Sequence, residues 1–472
     1  ANRDISVDHV RITVYYTPPT LLVSGNAYAG DGAEDLTACD GSTKNIAVVV
    51  GTSTPGKFTT NCADSGNNFS VTLTGTTALS ADTPIIAYID GVANVYGTTA
   101  ALYDGLGDQT GLTVRQNRLV LSSDTATAVT NTHLDKWDNN NDTDVNYDVT
   151  AGNLTVESNS TLRVNTGDTF LPGGKINTHV SGGALHLDDG ATATIDTATS
   201  TVGADINIDD GAVLNINAHT EVKGGNIITA GSGALNYTSG TPRISIYGSG
   251  SLGGGAGTLN FYDLTALGIG TLTLNSTTSV FNVLEAGQKT WKLVGAYEPL
   301  SIGQNFIASS STFKYEAASN ATVTPATYYN LEIVPSAGSP TFLLGTTTEQ
   351  TIIVQNNFTV GGAGNAVVDA NNYDPVLDFN GNFTVGVGDT FLASDLSPFT
   401  LAGDFANNGA FTHNNGAVIL DTTNTSTVTS VASMSFYNLT SVVPGKTILF
   451  QAHSSDVPTF IIANILTVTG AQ

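Results

Sequence analysis

The sequence predicts an all-β chain whose longer part is a parallel β-solenoid. Three observations carry that prediction. Leu185-His186-Leu187-Asp188-Asp189-Gly190-Ala191 returns shortly afterwards as Ile206-Asn207-Ile208-Asp209-Asp210-Gly211-Ala212. Each copy is a short alternating strand followed by an Asp-Asp-Gly turn, and a period of about 21 suits one coil of a stack that buries its apolar face against the next. The 51 glycines, with abundant Asn and Thr, indicate many short strands joined by tight turns. No stretch shows the apolar helical period of a long helix.

Taken in chain order, residues 1–19 read as a single strand. Ile5 and Val7 alternate, the phase slips by one residue, and Val10, Ile12, Val14 and Tyr16 continue to the Thr17-Pro18-Pro19 break. A slip of this kind marks a β-bulge. The run has no hairpin partner before the prolines, so its edge needs a neighbour. Residues 20–132 read as an antiparallel, immunoglobulin-like β-sandwich, with candidate strands at 46–50, 69–73, 85–89 and 119–121. An Asp/Asn-rich linker is expected over 133–148. The solenoid is expected over 149–472, on the order of 15 coils at ~21–22 residues each.

Two further phrases recur in the solenoid. Asn-Phe or Asp-Phe follows a polar turn at Asn305-Phe306, Asn357-Phe358, Asn382-Phe383 and Asp404-Phe405. If the coils stack, these phenylalanines form an interior ladder and the polar residues line a turn. Phe261-Tyr262-Asp263-Leu264, Tyr328-Tyr329-Asn330-Leu331 and Phe436-Tyr437-Asn438-Leu439 form the other series. The last strands, around Phe460-Ile461-Ile462 and Ile465-Leu466-Thr467-Val468, carry no polar capping helix.

Composition narrows the function. With 40 Asp+Glu against 15 Lys+Arg the formal charge is −25, which argues against nucleic-acid binding. Charged residues are only 12% of the chain, but 40% hydrophobic content argues against disorder. No membrane-length apolar run occurs. Scarce lysine, abundant Thr and Asn, and the two cysteines point to a mature exported chain, extracellular or on a cell surface. In that setting Cys39 and Cys62 are expected to form one disulfide. Asn-x-Ser/Thr sequences at Asn68, Asn153, Asn236, Asn275, Asn357 and Asn438 are candidate glycosylation sites.

Asp138, Asn140, Asp142 and Asp144 have the D-x-N-x-D-x-D spacing of calcium loops, a candidate structural Ca²⁺ site. The pattern departs from an EF-hand at Thr143, where Gly belongs, and at Val149, where Glu belongs; the alternative is a solvated turn. The stacked pairs Asp188/Asp209 and Asp189/Asp210 are candidates to share a cation, or are simply turn formers. These four acids are also the only candidates for a sugar-cleaving carboxylate pair. No solenoid Lys or Arg sits in a phrase with clustered acids, and the seven histidines show no metal-ligand spacing. The chain is therefore not read as an enzyme: no catalytic residues are assigned, and no cofactor beyond the candidate Ca²⁺.

Two resemblances add to this reading. Val23-Ser24-Gly25-Asn26-Ala27-Tyr28, Asn68-Phe69-Ser70-Val71 and Ile89-Asp90-Gly91 resemble the carboxypeptidase-regulatory-like modules of bacterial surface proteins, which are not catalytic. Residues 6–17, Thr169-Phe170-Leu171-Pro172-Gly173-Gly174 and Phe436-Tyr437-Asn438-Leu439-Thr440 resemble phrases in large secreted β-repeat surface proteins of uncultivated bacteria. That resemblance implies a segment like 6–17 that closes a preceding β-domain. Standing first here, the segment is expected to serve assembly through Ile5, Val7, Val10, Ile12, Val14 and Tyr16. The expected function is a subunit of an extracellular filament, sheath or surface layer, with copies of itself as partner. The alternatives are a non-polymerising stalk or adhesin that binds polysaccharide, and a polysaccharide-cleaving β-helix.

Overall fold

Leu185-His186-Leu187 and Ile206-Asn207-Ile208 lie side by side as parallel strands, paired residue for residue. The following strands, Thr192–Ile195 and Val213–Ile216, pair in the same register. The repeated phrase therefore marks one turn of a stack in which each coil covers the one before. The structure is a computed structural model that describes residues 20–30, 45–51, 56–62, 67–74, 79–295, 298–441, 443–452 and 458–469. Its contacts divide the chain into two units, residues 1–127 with 136–146, and residues 128–135 with 147–472.

In the second unit each coil supplies strands to three faces. The first face is a column of strands from Thr161–Val164 to Ile448–Ala452, joined by successive parallel pairings. The offset along it is shortest where Thr312 pairs with Asn330, and half as long again where Leu331 pairs with Phe358. Coil length is thus set by the loops, while the strands keep register. Strand after strand shows buried–half-buried–buried alternation, as in Leu185–Leu187, Ile206–Ile208 and Phe383–Val385. The inward apolar residues of three faces make one continuous core, the condition for a solenoid to be stable.

At four coils the second and third faces are built by one long strand that rounds a corner: Leu259–Ala266, Thr278–Glu285, Met434–Ser441 and Phe460–Val468. Register shifts within these strands at Phe261/Asp263 and Phe436/Asn438. The Phe-Tyr-Asp/Asn-Leu phrase is this corner at Phe261–Leu264 and Phe436–Leu439, and at Tyr328–Leu331 it is the turn from the third face to the first. Its first and fourth residues are buried (Phe261 and Leu264, Tyr328 and Leu331, Phe436 and Leu439), and the middle pair turns outward or along the stack. The third residue then bonds to the next coil: Asp263 Oδ1 accepts from Asn282 Nδ2, Asn330 Oδ1 from Asn356 Nδ2, and Asn438 Oδ1 from Asn464 Nδ2, each at 2.9 Å.

Of the expected phenylalanine ladder, Phe358, Phe383 and Phe405 stand opposite one another with ring centroids 5.2 and 4.8 Å apart. Phe306 is not part of it. It pairs with Leu284 on the third face and packs edge-on against Phe313 and Tyr328, because the short coil that follows, from Thr312 to Asn330, leaves no room for a matching turn. The polar residues before the ladder do line a turn: the backbone N–H of Asp404 donates to Asn382 Oδ1 at 2.9 Å, and that of Thr427 to Asp404 Oδ1 at 2.7 Å.

Two of the strand edges at the beginning of this unit's stack are covered by its own chain. Tyr147–Thr150 folds back antiparallel on Asn153–Val156 through Ala151-Gly152, both at positive φ (52° and 77°), the backbone of a type I′ hairpin. A short helix, Asn131–Leu134, is capped by Thr130, and Asn131 Nδ2 donates to the carbonyls of Gly152 and Lys175. No helix among the described residues is long and apolar enough to cross a membrane.

The first unit contains two sheets that share one apolar core. One runs in the order Asn68–Thr74, Thr20–Tyr28, Gln109–Arg115. The other runs Phe58–Asn61, Asn45–Val50, Pro84–Asp90, Thr98–Leu102, Arg118–Ser123. All four expected strands are present. The unit is not the antiparallel one expected, since Thr20–Tyr28 with Gln109–Arg115 and Thr98–Leu102 with Arg118–Ser123 pair in parallel. Residues 136–146, expected as linker, fold onto this unit. The strand expected over 5–16 lies outside the described residues, as does Cys39.

Candidate functional site

The stacked Asp-Asp-Gly turns come together as the repeat requires, but three of their four carboxylates are already engaged. Asp188 Oδ2 accepts from Arg163 Nε at 2.9 Å, one coil earlier. Asp209 Oδ2 lies 2.9 Å from His186 Nε2, and Asp210 Oδ1 accepts from the Ser232 N–H and hydroxyl one coil later. Those bonds to Ser232 hold the Asp210 carboxyl below the usual carboxylate range. Asp189 faces solvent. The basic partner that the sequence did not place beside the acids is Arg163; a full coil of chain separates it from Asp188, yet stacking sets them in contact. His186, Asp188 and Asp209 are close enough to hold a metal ion together, with Arg163 already paired to one of the two carboxylates.

The Asp138–Asp144 loop is divided rather than convergent. Asp138 accepts from the N–H of Asn140 at 3.0 Å, an Asx turn within the loop. Asp142 and Asp144 turn instead to Asp90, and these three form the second cluster able to hold a metal ion. Lys57 sits there as the cation. Its ammonium donates to Asp90 and, at 2.8 Å, to Asp142 Oδ2, which also accepts from the Tyr88 hydroxyl at 2.8 Å. Asp144 Oδ2 accepts from the Gly91 N–H at 2.7 Å.

Burial alone would lower the Lys57 ammonium, but its bonds to Asp142 and Asp90 outweigh that and raise it. Burial likewise pushes against ionised Asp142, and the Lys57, Asp144 and Tyr88 donors overcome it and hold Asp142 low. Asp90 is raised by burial, with Lys57 offsetting only part. A lowered Asp142 stabilises the fold above the ordinary carboxylate range and is lost on acidification; a raised Lys57 stabilises it below about 10.5 and is lost above. Lys57→Met is expected to lower the melting temperature at pH 7 and to make it rise with millimolar Ca²⁺, whereas wild type responds little. Scanning calorimetry with and without Ca²⁺ checks this; equal Ca²⁺ responses would show that Lys57 does not stand in for a cation.

The third feature is the last described coil. Leu439 is 1% exposed beneath it, while its register partner Leu466, on the same inward-facing row, is 55% exposed. Phe450, Ile465 and Val468 are open as well. Among the described residues Phe460–Val468 pairs only with Met434–Ser441, so its other edge offers a row of backbone donors and acceptors beside bare apolar side chains. The apolar run is visible in the sequence; the corner shape of the edge needs the register.

Cys62 is buried in the core of the first unit. Of the candidate glycosylation asparagines, Asn153, Asn236, Asn357 and Asn438 accept hydrogen bonds from the next coil. No family model, curated protein or solved structure matches the chain. The class defined by fold and contacts is an all-β repeat protein with a parallel β-solenoid.

Proposed function

We propose that this chain is a structural subunit of an extracellular filament, sheath or surface layer, joined to its neighbour by strand addition. The far edge of Phe460–Val468, which has no strand partner among the described residues, carries the proposal. Residues 5–16 of a second copy are its occupant, and their apolar spacing supports the match. Two of the corner strands bury positions n, n+2, n+5 and n+7: Leu259, Phe261, Leu264 and Ala266 in one, Met434, Phe436, Leu439 and Ser441 in the other. Ile5, Val7, Val10 and Ile12 have that same spacing. The slip between Val7 and Val10 is then a corner, with His9 at the ladder position beside exposed Asn464. Strand addition of this kind supplies main-chain bonds and apolar pockets together. Because the two joined surfaces differ, the contact does not close, and it propagates as a fibre.

Deletion of residues 1–17 tests the reading. Wild type is expected to form extended assemblies by negative-stain microscopy and sedimentation, and the deletion to remain monomeric until a 5–16 peptide is added, which blocks wild-type growth as well. Assemblies of normal length from the deletion variant would sink it. The extracellular placement also implies the Cys39–Cys62 disulfide, supported by the burial of Cys62; an intact mass unchanged by reduction would exclude the bond. An immunoglobulin-like class for the first unit fits its two sheets and single core.

A further inference from the structure

We propose that the outer surface of the solenoid between Asn236 and Gly303 is a binding groove for a neutral polysaccharide chain running along the stack. A concavity of about 530 Å³ opens there, within the range of small-ligand sites. Its floor is a polar row that crosses four coils in register: Asn236, Asn260, Ser279 and Ser301. Asn260 Nδ2 donates to Asn236 Oδ1 at 2.7 Å, which fixes both amides at the surface. Four coils at ~4.8 Å per step give the row a length of ~14 Å, room for a short oligosaccharide.

Beside the row stands an aromatic wall. Tyr237, Tyr262 and Phe281 come from three consecutive coils and touch one another with centroids 5.5 to 6.1 Å apart. Phe281 is 52% exposed, although an outward position on a solenoid strand is ordinarily polar. At the fourth coil the wall stops at Gly303, where a Cβ would lie 2.1 Å from the Phe281 carbonyl, so no side chain can fill that end.

The lining selects the ligand class. No residue lining the groove is charged, and a chain of net charge −25 repels polyanions. The strands beneath have their backbone groups paired into ladders, so an extended peptide would find no main-chain partners. A pyranose presents an apolar C–H face for an aromatic ring and an equatorial rim of hydroxyls for amide and hydroxyl groups. The two parallel rows match those two aspects.

The test uses the full chain, titrated calorimetrically with cellohexaose, chitohexaose, maltohexaose and xylohexaose, with polygalacturonate and a proline-rich decapeptide alongside. At least one neutral hexaose is expected to bind, tenfold or more weaker to Phe281→Ala, with the melting temperature unchanged. Ser279→Glu, which fills the floor without touching the wall, is expected to lose the same binding and serves if Phe281→Ala proves unstable. Failure of all four hexaoses, undiminished binding by both variants, or preference for the polyanion or the peptide would overturn the proposal. None of these outcomes depends on whether copies assemble.

Discussion

Phe383→Ala is expected to destabilise the solenoid by about 3–5 kcal/mol, the usual range for emptying a fully buried aromatic site. Phe383 has no exposed surface and touches five other rings: Phe358 and Phe405 in the ladder, and Phe379, Phe391 and Phe399 from the other two faces. It joins all three faces through aromatic contacts. The cavity cannot collapse easily, because backbone ladders on every face hold the coils at fixed spacing. Because a solenoid is held by nearest-neighbour terms, the loss should be local. Hydrogen exchange is expected to show faster opening across residues 358–412 and unchanged protection over 185–246. A uniform loss of protection would mean that the stack unfolds as one unit.

The parts of this architecture legible in the sequence are those that repeat at short range. The Leu-His-Leu-Asp-Asp-Gly and Ile-Asn-Ile-Asp-Asp-Gly phrases carry strand, turn and coil length together, so their register can be read directly. The Phe358–Phe383–Phe405 ladder is legible for the same reason. Phe306 is misplaced by its Asn-Phe dipeptide, which matches the ladder phrase while the short coil after it shifts the phase. Arg163 escapes a sequence reading because its partner Asp188 lies a coil further along the chain, and only stacking makes them neighbours. The Asp138–Asp144 spacing suggests a calcium loop, but spacing cannot report that Lys57, from a distant part of the same unit, pairs with Asp142 and Asp90. Corner strands are the subtlest case: the extra residue between Phe261 and Leu264, or between Phe436 and Leu439, reads as a slip of phase in the sequence, and only the register shows that it rounds a corner.

Lys289→Met is expected to cost about 2–4 kcal/mol although it exchanges a buried charge for an apolar side chain of similar length. Such exchanges are often neutral when both partners of an ion pair are replaced. Here the partners are backbone carbonyls and cannot be removed. Lys289 is 1% exposed, and its ammonium donates to the carbonyls of Tyr247 and Gly248, both at 2.9 Å, and of Ile269 at 3.2 Å. One side chain therefore ties its own coil to the two before it, across a corner opened by Gly270 at φ 117°. Methionine fills the space and leaves three carbonyls without this donor. The pH dependence separates this account from simple packing. Burial lowers the Lys289 ammonium below its ordinary 10.5, so the unfolded chain binds that proton more tightly. Stability must then rise with pH between the folded value and the ordinary one. The gap between wild type and Lys289→Met, measured by urea denaturation, is expected to widen from about pH 7 to about pH 10. A gap that narrows over that range would mean the charged form is favoured by its three carbonyls more than burial disfavours it.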